Sequence, residues 1–243
     1  MSQSVNTAMI FAAGLGTRLK PWTDHHPKAL AIVNGKSLLQ RNVEYLKTFG
    51  INKIVINVHH FADQIIDVIK LNNNWGVDIA ISDETNEVLE TGGGLKKAAP
   101  LLAGENNFLV MNCDILTDLD LAAMYVLHNK QQNLATLAVT ERATSRYFLF
   151  NRQMRLCGWR NKKTGEEKIP LADNQLQEKA FSGVHIINRQ LFSVMQQQGK
   201  FSMVDVYLSL CKGYAIQGYD HTGGKLIDVG KPESIAEAEK MFA

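Results

Sequence analysis

AMIFAAGLGTRLKP, residues 8–21, is the stretch on which the fold turns. Ala8–Ala13 is short, apolar and uninterrupted, the mark of a strand buried on both faces, as in a parallel sheet. It runs straight into Gly14-Leu15-Gly16. Residues without a Cβ let backbone N–H groups come close to phosphate oxygens. Ala12, Ala13, Gly14, Gly16 and Thr17 are therefore the candidate nucleotide cradle. Arg18, and Lys28 just after Pro27, place fixed positive charge where pyrophosphate charge would develop. The loop is not a Walker A motif, since G-x-x-x-x-G-K-[ST] is absent. It also lacks the third glycine of a dinucleotide fingerprint, which disfavours an NAD(P)-binding reading.

Outward from this loop, apolar runs alternate with helical patterns. Ser37 is placed to cap a helix that ends at Gly50, and Lys53–Val58 is rich in β-formers. Phe61–Leu71 has helical spacing, Val77–Ile81 reads as a strand, and Gly93–Leu102 as a short helix. Phe108–Met111 reads as a buried strand, Leu119–Lys130 as a helix and Leu134–Thr140 as a strand. This rhythm predicts an α/β fold: a three-layer, Rossmann-like, mostly parallel sheet flanked by helices. After Thr140 it changes. A hairpin at Tyr147–Phe150 and Met154–Trp159, an exposed loop at Asn161–Lys168 and a strand at Phe181–Ile187 are expected. Helices at Arg189–Gln197 and Val204–Lys212, a strand at Tyr214–Tyr219, Leu226–Val229 and a last helix from Pro232 follow. With no linker or repeat, residues 1–243 read as a single domain in two halves, about 1–140 and about 141–243.

Composition narrows the partners. A net charge of +2 is too small for a nucleic-acid surface or a polybasic membrane patch. The three cysteines have no paired metal spacing and fit buried thiols in a reducing compartment. The first sixteen residues lack a basic n-region and their apolar run stops at glycine, so neither a signal peptide nor a membrane span is expected. The expectation is a cytoplasmic protein, a monomer or small homo-oligomer, with no nucleic acid and no membrane among its partners.

Two further stretches carry carboxylates. Val110-Met111-Asn112-Cys113-Asp114 puts an acid just past the carboxyl end of a buried strand, where ligands bind in open α/β sheets. Leu226-Ile227-Asp228-Val229-Gly230 repeats the arrangement late in the chain. Asp114 and Asp228 together can hold one Mg2+ between phosphates, because carboxylate and phosphate oxygens suit this hard ion. Asn112 lies beside that site as a hydroxyl or phosphate contact. A glycine run, Gly92-Gly93-Gly94, follows Asp83-Glu84 and can admit a flat base or a phosphate against the backbone. Asp83 or Glu84 is in reach of donors on a base edge.

A-A-G-x-G-T-R-L-x-P followed by P-K resembles the signature of the sugar-phosphate nucleotidyltransferases, and the likeness runs along nearly the whole chain. It implies the nucleotide-diphospho-sugar transferase fold, an NTP and a sugar 1-phosphate as substrates, Mg2+ as cofactor, and release of pyrophosphate. It gives Arg18 and Lys28 the reacting phosphates, Asp114 and Asp228 the metal, and the loop with Asp83, Gly92 and Gly93 the base. Cys113 stands where that family usually has glycine. Leu89-Glu90-Thr91-Gly92-Gly93 is similar to the form in N-acetylmuramate 1-phosphate uridylyltransferases and in mannose- and heptose-1-phosphate guanylyltransferases. By the same likeness the sugar phosphate is expected near Asn112, Glu90, Ser182 and Gly183. Lys179, in Glu178-Lys179-Ala180 rather than the family's E-K-P, is carried over to the sugar phosphate with its spacing shortened. The expectation is UTP with an amino-sugar 1-phosphate. The alternatives are GTP with mannose or heptose 1-phosphate, and a catalytically silent sugar-nucleotide-binding subunit.

Overall fold

The computed structural model describes residues 5–243. Strands are β1 (Thr7–Phe11), β2 (Ile32–Val33), β3 (Lys36–Ser37), β4 (Lys53–Val58), β5 (Asp78–Asp83), β6 (Asn107–Asn112) and β7 (Ile115–Thr117). The second half adds β8 (Ala135–Thr140), β9 (Arg146–Phe150), β10 (Leu156–Asn161), β11 (Glu166–Lys168), β12 (Gln177–Asn188), β13 (Ile216–Asp220) and β14 (Leu226–Asp228). Helices are α1 (Leu38–Thr48), α2 (Ala62–Leu71), α3 (Glu90–Ala98), α4 (Leu121–Gln131), α5 (Leu191–Val194), α6 (Met203–Leu210) and α7 (Pro232–Met241).

The centre is the parallel run β5-β4-β1-β6, in which helices link β1 to β4, β4 to β5 and β5 to β6. Crossover helices cover both faces of such a sheet, so the strands read as the unbroken apolar runs seen in the sequence. β12 then enters antiparallel to β6 and also pairs β8 and β9. It is reached through the β9-β10-β11 meander, not through a crossover, and this reverses its direction. Two apolar cores result, one on each side of the sheet. The first gathers α1, α2 and Ile10, Ile54 and Ile56. The second gathers Met9, Val55, Phe108, Phe150 and Tyr207. Successive β1 residues Met9 and Ile10 fall in opposite cores, as the two-residue period of a strand requires.

Local chemistry explains most of the boundaries. The Ser37 hydroxyl accepts from the Gln40 N–H at 3.1 Å, and Gly50 at φ 79° turns the chain after α1. Three stretches differ from the sequence expectation. Asn161–Lys168 is not a loop: β10 runs to Asn161 and β11 pairs with it at the sheet edge. Glu166, Glu167 and Lys168 are all exposed, so no alternation betrayed the strand. The helix expected over Arg189–Gln197 shrinks to Leu191–Val194, and the Gln197 carbonyl instead accepts from the Lys96 ammonium at 2.6 Å.

The third difference matters for the site. The helix expected over Gly93–Leu102 begins earlier, at Glu90, and ends at Ala98, so the whole glycine run lies inside α3. The Gly92 and Gly93 N–H groups donate to the Phe201 carbonyl at 2.9 and 3.2 Å. A Cβ on Gly92 would overlap the Phe201 ring and one on Gly93 the Gly199 carbonyl. These glycines let α3 press against residues 199–203. Gly92→Ala is thus expected to destabilise the fold: overpacking costs about 1–3 kcal/mol, against roughly 0.5–1 kcal/mol gained by removing a helical glycine. Calorimetry should show a melting temperature lower by a few degrees, and an unchanged one would mean that Phe201 yields freely.

Candidate active site

The two aspartates meet through a short ribbon. β14 pairs antiparallel with β7 so that Asp228 faces Ile115, and the Val229 N–H donates to the Asp114 carbonyl at 2.8 Å. The Asp114 turn is itself fixed from both sides. The Cys113 N–H donates to the Phe11 carbonyl at 3.1 Å, and the Asn42 amide donates to the Cys113 carbonyl at 2.7 Å. This lodges Asp114 beside the end of β1, where the glycine loop starts.

Both cations come to the same place. The Lys28 ammonium forms an ion pair with Asp114 and lies 3.9 Å from Asp228 Oδ1. Arg18 Nη2 lies 3.6 Å from Asp228 Oδ2. Lys28 is mostly buried, whereas the Arg18 side chain is 58% exposed and free to reorient toward a ligand. Asp228 Oδ1 is buried without a hydrogen-bond partner. An orphaned carboxylate oxygen beside a second carboxylate is a donor set that fits Mg2+, a hard ion that takes only one or two protein carboxylates and completes its shell from phosphate and water. Among the described residues no group of three or more His, Cys, Asp or Glu side chains is placed to hold a metal. Gly230 completes the corner: a Cβ there would stand 2.6 Å from Asp228 Oδ1 and 2.7 Å from Arg18 Nη2.

Next to this charged corner lies a cavity of about 300 Å3 at the carboxyl ends of the parallel strands. Ala12, Ala13 and Gly14 line it, with Val88, Glu90 and Thr91 from the start of α3, and Lys28, Asn112 and Asp114 at the charged end. Gly16, at φ 62°, brings the loop down onto Lys28, whose Cβ would be 2.9 Å from any Cβ at that glycine. Thr17 and Arg18 continue from it as an exposed turn.

Asn112 and Gly183 also belong here: the Asn112 amide would be 2.9 Å from a Cβ on Gly183, which sits at φ 73°. Other residues picked from the sequence lie elsewhere or have other partners. Asp83 is exposed, its carboxylate closes a turn by accepting from the Thr85 N–H at 2.8 Å, and it is absent from the cavity wall. That bond from Thr85 holds its carboxyl below the usual range. Gly92 and Gly93 spend their amides on Phe201, as described above. Ser182 is buried and pairs with His221 Nε2 at 2.8 Å. Lys179 is 5% exposed, bonded to Glu141 at 2.7 Å and Asp220 at 2.6 Å. Burial alone would lower its pKa, but these two carboxylates outweigh that and hold the ammonium above its ordinary value. Neither Lys179 nor Ser182 lines the cavity.

Two cavity residues were not singled out, or not chosen, from the sequence. Sequence reasoning passes over Asn57 and does not separate Glu84 from Asp83. Both are buried on the cavity wall. A polar residue inside the β-rich run Lys53–Val58 was the available signal for Asn57.

An α/β sheet with an amide-lined loop, two cations and a carboxylate pair at its carboxyl edge defines the class of enzymes that transfer phosphate-linked groups. The family model described as nucleotidyl transferase matches residues 7–243, and the chain belongs to that family. It is 32% identical over 241 residues to N-acetylmuramate alpha-1-phosphate uridylyltransferase of Neisseria meningitidis serogroup B, covering 96% of this chain and 97% of that protein. It is 26% identical to the mannose-1-phosphate guanyltransferase of Yarrowia lipolytica, over 96% of this chain and 63% of that one. The crystal structure of HddC from Yersinia pseudotuberculosis complexed with GMP-PN shares the fold, with a TM-score of 0.77, 24% identity, and coverage of 98% and 100%.

Proposed function

We propose that the chain is a sugar-1-phosphate nucleotidyltransferase that joins UTP to an amino-sugar 1-phosphate and releases pyrophosphate. The observation that carries this reading is the meeting of Lys28, Arg18, Asp114 and Asp228 beside the cavity. A sugar 1-phosphate oxygen is already anionic near neutral pH, so attack on the α-phosphorus needs no general base. The obstacle is bringing two polyanions together, which positioning and charge neutralisation overcome. Mg2+, held by Asp114 and Asp228, supplies part of that neutralisation. Lys28 binds the transferred phosphate, Arg18 swings from Asp228 onto the departing pyrophosphate, and the amides of residues 13–16 fix the triphosphate, the Ala12 N–H being already spent on Asn57 Oδ1. The base enters between Gly14 and the start of α3. Gly183, from the sugar-binding half beyond about residue 140, and Asn112, from the nucleotide-binding half before it, are adjacent at the other end of the site and face the sugar.

The full-length likeness to the Neisseria uridylyltransferase supports UTP with N-acetylmuramate 1-phosphate. The guanyltransferase relative supports GTP with mannose 1-phosphate as the second reading. A catalytically silent subunit is disfavoured because all four charged groups are present and converge. Pyrophosphate release from UTP, GTP, CTP, ATP and dTTP, each against a panel of sugar 1-phosphates, tests the proposal. UTP with the amino sugar is expected to turn over fastest, and chelation with EDTA to abolish turnover until Mg2+ is restored. No release from any pair would sink the enzyme reading, and EDTA-resistant turnover would sink the metal's part in it.

A further inference from the structure

Asn57 is 3% exposed in β4, between Ile56 and Val58, and both ends of its amide are committed. Its Oδ1 accepts from the Ala12 N–H at 2.8 Å, and its Nδ2 donates to Glu84 Oε1 at 2.7 Å. Its orientation is thereby set, since only one end of an amide can accept. Glu84, 1% exposed, is anchored in turn by its own N–H to the Val58 carbonyl at 2.8 Å. Helix α3 passes over this pair at Gly94, where a Cβ would stand 2.6 Å from Glu84 Oε1 and 3.0 Å from the Asn57 amide nitrogen. One amide side chain thus joins the first residue of the phosphate loop to an acid on the cavity wall.

A carboxyl buried here is costly unless donors hold it. Burial pushes the Glu84 carboxyl above its ordinary value, and the Asn57 amide offsets only part of that rise. A carboxylate has about four acceptor sites, of which the Asn57 amide occupies one. The remaining capacity borders the cavity that also contains Ala12, Gly14 and Thr91. Bases differ at this point: uracil and guanine carry a ring N–H on the pairing edge, whereas cytosine and adenine present a ring nitrogen that accepts.

We propose that Asn57 is a specificity-positioning residue that presents Glu84 as a fixed acceptor to the base edge, so that the site takes bases with a ring N–H and disfavours cytosine and adenine. This rests on the nucleotidyltransferase reading and names the base class for the same cavity.

The test is calorimetric binding of UTP, GTP, CTP and ATP with Mg2+ and no sugar phosphate, so that no reaction intervenes. The wild type should bind UTP or GTP about tenfold or more tighter than CTP and ATP, the scale of one hydrogen bond to a charged group. Glu84→Gln, which puts a donor where an acceptor stood, should narrow the gap to CTP by a similar factor. Asn57→Leu should shift the ratios the same way and, in turnover, lose mostly in KM rather than in kcat. A purely structural Asn57 would weaken every nucleotide alike and leave the ratios unchanged, which overturns the proposal. So does a wild-type preference for CTP or ATP, or a Glu84→Gln protein with wild-type ratios. If Asn57→Leu does not fold, the Glu84→Gln ratios decide. Normal binding ratios without pyrophosphate release would fault the enzyme reading and not this one.

Discussion

Asp228→Asn should lower turnover by about a thousandfold and move half-activation to higher Mg2+. A bound divalent ion contributes several kcal/mol of charge stabilisation in phosphoryl transfer, and each 1.36 kcal/mol is a factor of ten, so losing about 4 kcal/mol gives that figure. The substitution keeps size and shape and removes only charge. It should leave the ribbon intact, because β14 is tied to β7 by backbone pairing and the Val229 N–H bond to Asp114, not by the Asp228 side chain. Asp228 Oδ1 accepts no hydrogen bond and its ion pair with Lys28 is long at 3.9 Å, so the folded protein loses little with the charge. Melting temperature should therefore stay close to that of the wild type while the Mg2+ requirement rises. Wild-type turnover at low Mg2+ would remove Asp228 from the metal site.

The architecture of this corner was legible because its signals are local. A buried strand running into Gly14-Leu15-Gly16-Thr17-Arg18 announces a phosphate loop, and an acid past a strand end announces a ligand, whatever the rest of the chain does. The ribbon that brings the two acids together was not legible: Ile115–Thr117 carries no strand signal of its own, and it is a strand because the distant β14 pairs with it. What could not be read depends on contacts between distant segments. Gly92-Gly93-Gly94 looks like a loop by propensity, yet it is helical because residues 199–203 lie against it and leave no room for side chains. Choosing between Asp83 and Glu84 was a question of facing. Adjacent residues at the end of a strand point to opposite sides, and a shift of one residue exchanges the buried acid for the exposed one. Asn57 stands out locally only as a polar residue in an apolar run; its partners Ala12 and Glu84, just past the ends of the strands to either side, are far away in sequence. Lys179 shows the converse: its local sequence resembles a phosphate ligand, but Glu141 and Asp220 neutralise it far along the chain.

Arg18→Ala should cut kcat by roughly a hundredfold or more, comparable to removing one oxyanion donor, with little loss of stability. The two halves of that expectation come from the same geometry. The Arg18 side chain is 58% exposed and its partner Asp228 is 39% exposed, with a separation of 3.6 Å. Exposed pairs of this kind contribute about 0–1 kcal/mol to folding, so thermal melting should barely move. A guanidinium held loosely at the mouth of a phosphate site is useful only once negative charge builds up on the departing pyrophosphate, and its absence should then appear in kcat more than in the KM for NTP. Arg18→Lys should recover only part of the rate, because an ammonium cannot reproduce the planar two-point grip on phosphate oxygens. Were kcat unchanged in Arg18→Ala, or were the loss confined to KM, the arginine would be a binding contact outside the transition state. The leaving group would then have to be stabilised by Lys28 and the loop amides alone.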